Sequence, residues 1–222
     1  MKSFFKHYPA TTFLLTITIL VFVGMQTAYP GQATSPQAIL TFGGMYGHYL
    51  AYDHTHIWRL VTPIFVHIGL GHFFLNILAL YFVGQMAEGI WGSPYFLLLY
   101  ILAGISGNVF TLLFTPDVIA AGASTSLFGL FAAIMMVAVF SPDASLKGLG
   151  RDYFMLILIN LVMNIFMPNV SIAGHIGGLV GGILVAIFLP ARIPLNHQKW
   201  FYRLSALCLY IALMIGMLSI SL

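Results

Sequence analysis

Residues 95–115 read YFLLLYILAGISGNVFTLLFT, 21 residues without a charged side chain. A membrane-spanning α-helix needs about 20 mostly apolar residues, and in hydrocarbon the backbone finds partners only within its own helix or a closed barrel. This stretch is therefore read as a transmembrane helix. Six further apolar runs lie at about 10–28, 70–91, 123–140, 153–168, 172–190 and 203–221. The fifth in chain order, 153–168, is short and is expected to stop at Pro168, because proline ends helices. Of 222 residues, 60% are hydrophobic and only 6% charged, and mean hydropathy is +1.00. Soluble domains carry about 25% charged residues, so this chain cannot cover a soluble surface. The expectation is an all-α polytopic membrane protein, one domain over 1–222 built from about seven helices in a lipid bilayer.

Other classes drop out on composition. The net charge of +3 is dispersed and includes no run of like charge, so no nucleic-acid partner is expected. Cys208 is the single cysteine, which excludes a disulfide framework or a cysteine metal site. His48, His54, His56 and His67 fit no closed metal site by spacing, and neither metal nor cofactor is expected. Lys2 and Lys6 precede the first run as in a signal peptide, but MQTAYPGQ offers no A-x-A-like cleavage site, so the run is read as a span. With the N-terminus cytoplasmic, Lys2, Lys6, Lys147, Arg151, Arg192, Lys199 and Arg203 fall inside and only Arg59 outside. That seven-to-one split predicts an N-in, C-out topology. The long first external connection, about 29–69, is too aromatic for a free linker and is expected to lie partly helical at the outer leaflet.

Polar residues inside spans are expensive and mark function by default. HIGLGHFFLN opens the second span with His67, His72 and Asn76; GASTS opens the fourth with Ser124; AGHIGG opens the sixth with His175. Spans two, four and six all run from outside to inside, so these openings share one depth near the outer face. His72 and Asn76 are four apart and point the same way, whereas His67 lies about 140° away from His72 on an ideal helix. His175, Gly178 and Gly182 share a face, and the last two form a G-x-x-x-G seam that allows close helix approach. Ser124, Phe128 and Ala132 share the facing surface of span four; Phe128 either lines a pocket or only packs. Ser126 faces elsewhere. A serine hydroxyl needs a base, and histidine supplies one near neutral pH. The oxyanion formed on attack needs preorganised donors, which His72, Asn76 and the backbone at the start of span four can offer. No acid is placed to orient His175, so a Ser124–His175 dyad is expected rather than a triad.

Together these residues resemble the rhomboid family of intramembrane serine proteases. Gly122, Ala123, Ser124 and Thr125 stand at that family's G-x-S-G motif, followed by LFG at 127–129. His67, His72 and Asn76 stand at H-x-x-x-x-H-x-x-x-N, and His175, Gly178 and Gly182 at the sixth-helix pattern. Trp58 and Arg59 stand at the tryptophan–arginine pair of the first external loop, and Glu88 at the acidic end of helix two. The resemblance implies a serine endopeptidase in the plasma membrane, of the bacterial inner or cytoplasmic type, cutting transmembrane segments of other proteins near the outer face. It implies Ser124 as nucleophile, His175 as general base, and His72, Asn76 and the Ser124 amide as oxyanion hole. It also divides the chain into six core helices, about 10–190, and one extra helix, about 203–221.

Two residues depart from the family pattern: Thr125 replaces the usual glycine and Gly174 the usual alanine. Thr125 bears on catalytic efficiency, because a Cβ there can crowd the backbone that presents the oxyanion amide. Two other functions compete. A non-catalytic rhomboid-like protein that binds membrane clients would lose the serine or histidine, and both are present. A small transporter would show paired halves and broken helices, and neither is visible. The fifth span and the MPNVSIAG link are the parts expected to move.

Overall fold

The seven apolar runs form the long helices of a computed structural model that describes residues 6–143, 146–166, 170–193 and 199–222. The long helices are α1 (Pro9–Ala28), α4 (Leu70–Trp91), α5 (Ser93–Phe114), α6 (Ser124–Phe140), α7 (Lys147–Ile165), α8 (Ile172–Phe188) and α9 (Trp200–Ser221). Between α1 and α4 the external connection folds into the short helices α2 (Pro36–Thr41) and α3 (Gly47–Tyr52), then two 3₁₀ turns, His54–Leu60 and Thr62–Phe65. Among the described residues there is no β-strand, only an isolated bridge between Met45 and Ala120.

Five of these helices (α1, α4, α5, α7 and α9) are long and apolar enough to cross a membrane. α6 and α8 have 17 residues each, about 26 Å at 1.5 Å per residue. That is short of a hydrocarbon layer about 30 Å thick, so a helix of this length stops short of one interface. The fifth span departs from expectation. α7 starts at Lys147 rather than near 153 and has 19 residues, so it is not short. The apolar run misses its first turns because Lys147 and Arg151 sit there, exposed, where long cationic side chains keep their heads in water. Pro168, its expected stop, lies outside the described residues.

Burial sorts the helices. In the apolar stretch of α5, 61% of residues are buried, against 11% in α7, so α5 is central and α7 peripheral. α8 is wedged between α5 and α6 by its glycines. A Cβ on Gly178 would meet the Thr125 carbonyl, and one on Gly182 the Gly129 backbone, both on α6. One position earlier, a Cβ on Gly177 would meet Phe110 at 2.5 Å and one on Gly181 would meet Ser106, both on α5. Two small-residue seams thus run side by side on α8, and van der Waals packing at this range replaces the hydrophobic effect that lipid does not supply. The Ser106 hydroxyl also donates to the Gly177 carbonyl at 2.8 Å. α9 joins through the Tyr210 hydroxyl, which donates to the Leu102 carbonyl at 2.8 Å, and through Arg203 to the Phe188 carbonyl at 2.9 Å.

The external connection is bonded throughout. Arg59 Nη1 donates to the carbonyls of Leu40 and Gly44 at 2.9 and 2.7 Å, and its guanidinium lies 4.4 Å from the Trp58 ring centre. Asp53 accepts from the Thr55 N–H at 2.9 Å, which holds this carboxyl below its usual pKa. Asn108 of α5 donates to the Leu60 carbonyl at 2.8 Å.

At the other end, Glu88 solves a problem of α1. The first N–H groups of a helix have no intrahelical acceptor, and Tyr8 offers no side-chain cap. The buried Glu88 carboxylate accepts from the Ala10 and Thr11 N–H groups at 2.9 and 2.8 Å. It also accepts from the hydroxyls of Thr11 and Ser93, at 2.7 and 2.6 Å. Glu88→Ala strips two buried N–H groups of their acceptor and is expected to cost about 2–4 kcal/mol. Thermal unfolding in detergent checks this, with Glu88→Gln, which keeps one acceptor oxygen, falling between wild type and Ala.

Candidate active site

The entry to α6 is set by backbone contacts from the external connection. Gly122 has φ +139°, a region that L side chains avoid, and donates to the Pro63 carbonyl at 2.9 Å. The Ala123 N–H donates to His67 Nε2 at 3.3 Å, while His67 Nδ1 lies 3.3 Å from the Phe65 carbonyl. His67 therefore serves this backbone.

Ser124 is the first residue of α6, and its Oγ lies 2.8 Å from His175 Nε2. Phe128, one turn on, stacks on the His175 ring with centres 4.4 Å apart and planes 13° from parallel; it both packs and lines the adjoining cavity. The His72 ring lies along Gly122: a Cβ there would be 2.6 Å from His72 Cε1 and 3.5 Å from Ser124 Oγ. The missing side chain at Gly122 thus leaves room for both groups at one point. Asn76 Nδ2 donates to the His72 carbonyl at 2.8 Å, leaving its second N–H available, while its buried Oδ1 has no partner. A cavity of about 840 Å³, walled by α4, α5, α6, α7 and α8, touches His72, Asn76, Ser124 and His175. Trp58 and Arg59 lie away from it in the external connection, and Gly178 and Gly182 act on it through the α6–α8 seam.

Ser126 is buried against α5 at Gly104 and does not share the site. Thr125 is buried against small residues, and its Oγ1 has no hydrogen-bond partner. A Cβ on Gly107 would fall 2.6 Å from Thr125 Cβ, and one on Gly174 would fall 3.4 Å from Thr125 Cγ2 and 2.6 Å from Thr111 Oγ1. Thr125 thus fills space that Gly107 leaves open, whereas a side chain at position 174 would meet Thr111 before it met Thr125.

The site also contains groups that the sequence reading passed over. Ser171 caps α8, accepting from the Gly174 N–H at 3.0 Å, and its hydroxyl lies 2.9 and 3.0 Å from those of Thr111 and Thr115. Asn164 of α7 places its amide 2.7 Å from His175 Nδ1. The available signal was a carboxamide inside an apolar span, which hydrocarbon disfavours unless it is bonded. Asp117, the acid nearest in depth, instead meets His48 at 2.6 Å on the surface.

A helical bundle with several membrane-length helices and a hydroxyl–imidazole pair beside a polar-edged cavity defines a class, and comparison with known proteins narrows it. Residues 54–192 match the family model of the Rhomboid domain. The chain is 36% identical over 212 residues to Rhomboid protease GluP of Bacillus subtilis (strain 168), which is 95% of this chain and 40% of that protein. It is 31% identical over 165 residues to Rhomboid-like protease 3 of Toxoplasma gondii, 71% of this chain and 62% of that protein. A shorter likeness, 32% over 106 residues, covers 48% of this chain and 30% of Inactive RHOMBOID-like protein 8 of Arabidopsis thaliana. The chain belongs to the rhomboid family and is a multi-pass membrane protein.

The α6–α8 seam can be tested on its own. Gly178→Ala drives a Cβ into the Thr125 carbonyl and is expected to lower stability by about 1–3 kcal/mol, as overpacking does. Gly216→Ala, where nothing lies within 4 Å of the added Cβ, serves as the control. Melting curves in detergent should separate the two.

Proposed function

We propose that this chain is an intramembrane serine endopeptidase that cuts transmembrane segments of other membrane proteins. One observation carries the reading beyond family membership: Ser124 Oγ and His175 Nε2 lie 2.8 Å apart at the wall of a cavity that also touches His72 and Asn76. Because one relative is named inactive, family alone leaves activity open; the pairing of hydroxyl and imidazole is what favours it.

The chemistry follows from the groups. Nε2 of His175 takes the proton as Ser124 Oγ attacks the scissile carbonyl, and returns it to the leaving nitrogen when the C–N bond breaks. Negative charge on the carbonyl oxygen is met by the free N–H of Asn76, the His72 ring and the Ser124 N–H. The last lies at a helix start, where N–H groups lack intrahelical partners and favour negative charge. Water then releases the acyl group by the same steps in reverse order. The distribution of Lys and Arg supports an N-in, C-out chain, with the site toward the outer face. α7 is the least buried of the five long apolar helices, and a substrate segment would reach the cavity most directly past it. The bacterial relative supports a plasma-membrane location.

Purified full-length protein with a transmembrane test substrate decides the assignment. Ser124→Ala and His175→Ala should each abolish cleavage, and a chelator should leave it intact; undiminished turnover by Ser124→Ala would sink the proposal. A fluorophosphonate should label wild type and Ser126→Ala but not Ser124→Ala. His72→Ala and Asn76→Ala should each lower kcat by about 10–10³-fold with little change in KM, as loss of one oxyanion donor does.

A further inference from the structure

The His175 imidazole is contacted through both nitrogens: Nε2 faces Ser124 Oγ, and Nδ1 lies 2.7 Å from Asn164 Nδ2. We propose that Asn164 is a positioning residue that holds His175 in the tautomer whose Nε2 can take the Ser124 proton. The proposal builds on the protease reading above and assigns the third member that the dyad lacks.

A neutral imidazole carries one N–H. If Nε2 is to accept a proton from Ser124, that N–H must be on Nδ1, where it needs an acceptor in a buried site. Among the described residues touching the cavity only His72 and His175 titrate, and none is a carboxylate. Among the described residues Asn164 alone has a hydrogen-bond contact at Nδ1. Nδ2 is the end set against Nδ1, and a 180° turn about χ2 places Oδ1 at the same point; the positioning role belongs to the turned amide. Oδ1 toward Nδ1 accepts the N–H and leaves Nε2 bare, whereas Nδ2 toward Nδ1 would force the proton onto Nε2 and block the base. When Nε2 gains the Ser124 proton, the same Oδ1 continues to accept from the imidazolium.

Two further observations separate this contact from ordinary packing. Asn160, one turn earlier on α7 and also on the cavity, satisfies itself by donating to its own Leu156 carbonyl at 2.8 Å. Asn164 instead reaches across to α8. The constraints on the ring are also complementary, since the Phe128 stack fixes its plane and a bond at Nδ1 fixes its rotation within that plane. Asn76 has no part in this, because its amide is bonded to His72.

The test uses full-length protein labelled with ¹⁵N-histidine, with His175 signals identified by their loss in His175→Gln. Wild type should show a protonated Nδ1 and a bare Nε2, and Asn164→Leu should show a mixture of tautomers. On the transmembrane substrate, Asn164→Leu should lower kcat about 10²-fold, within the range of general-base contributions, with KM unchanged. Asn164→Asp should recover most of kcat and move the acidic limb of the kcat/KM profile to higher pH, because a carboxylate favours the imidazolium. Unaltered His175 signals in Asn164→Leu, or a change confined to KM, would overturn the proposal. If Asn164→Leu does not fold, Asn164→Asp carries the decision: an unmoved acidic limb overturns it. Altered tautomers in a protein whose wild type cleaves nothing would uphold the positioning role and overturn the protease reading instead.

Discussion

Everything at the site depends on how closely α8 approaches α6. Helices with ordinary side chains pack with axes about 8–10 Å apart; glycine at the crossing allows less. Here a Cβ on Gly178 or Gly182 would land on the α6 backbone at Thr125 and Gly129. Only with that volume empty can a side chain as short as serine reach a histidine on the neighbouring helix. The second seam, Gly177 and Gly181 against α5, pins α8 from the other side, and the Ser171 cap bonded to Thr111 and Thr115 fixes its end.

The second constraint comes from the external connection, which behaves as a scaffold. Polar backbone buried near a membrane must be bonded, and the chain meets that demand with Arg59 on two carbonyls, Asn108 on a third, and Met45 paired with Ala120. The same segment supplies the Pro63 carbonyl to Gly122 and His67 to Ala123. The backbone that presents Ser124 is thus held from outside the helix that carries it. Gly122 joins both constraints, since its φ suits glycine and its missing Cβ admits the His72 ring.

Thr125 shows why a motif read alone misjudges a site. Against a family pattern it looks like an intrusion beside Ser124. In the fold its carbon atoms pack where Gly107 has no side chain, and only its buried hydroxyl goes without a partner. Glu88 teaches the reverse lesson: its role was visible only as an acid at a helix end, and the N–H groups it caps lie on α1, 77 and 78 residues away in sequence.

Sequence alone determined the spans, because a length of apolar residue and a scarcity of charge suffice to call a membrane helix, and the long helices fall where those runs lie. The exception, the start of α7, failed where cations at a helix end broke the apolar signal. Sequence also put Ser124, His72, Asn76 and His175 near the starts of three helices, since where apolar runs begin is a property of the chain itself. Tertiary structure alone decided the rest: that Asn164 meets His175, that Phe128 stacks on it, that His67 bonds to backbone, and that Thr125 packs against Gly107. Each of these joins residues distant in the chain, and the distance between two elements is set by the side chains that both lack or carry, which no single stretch of sequence contains.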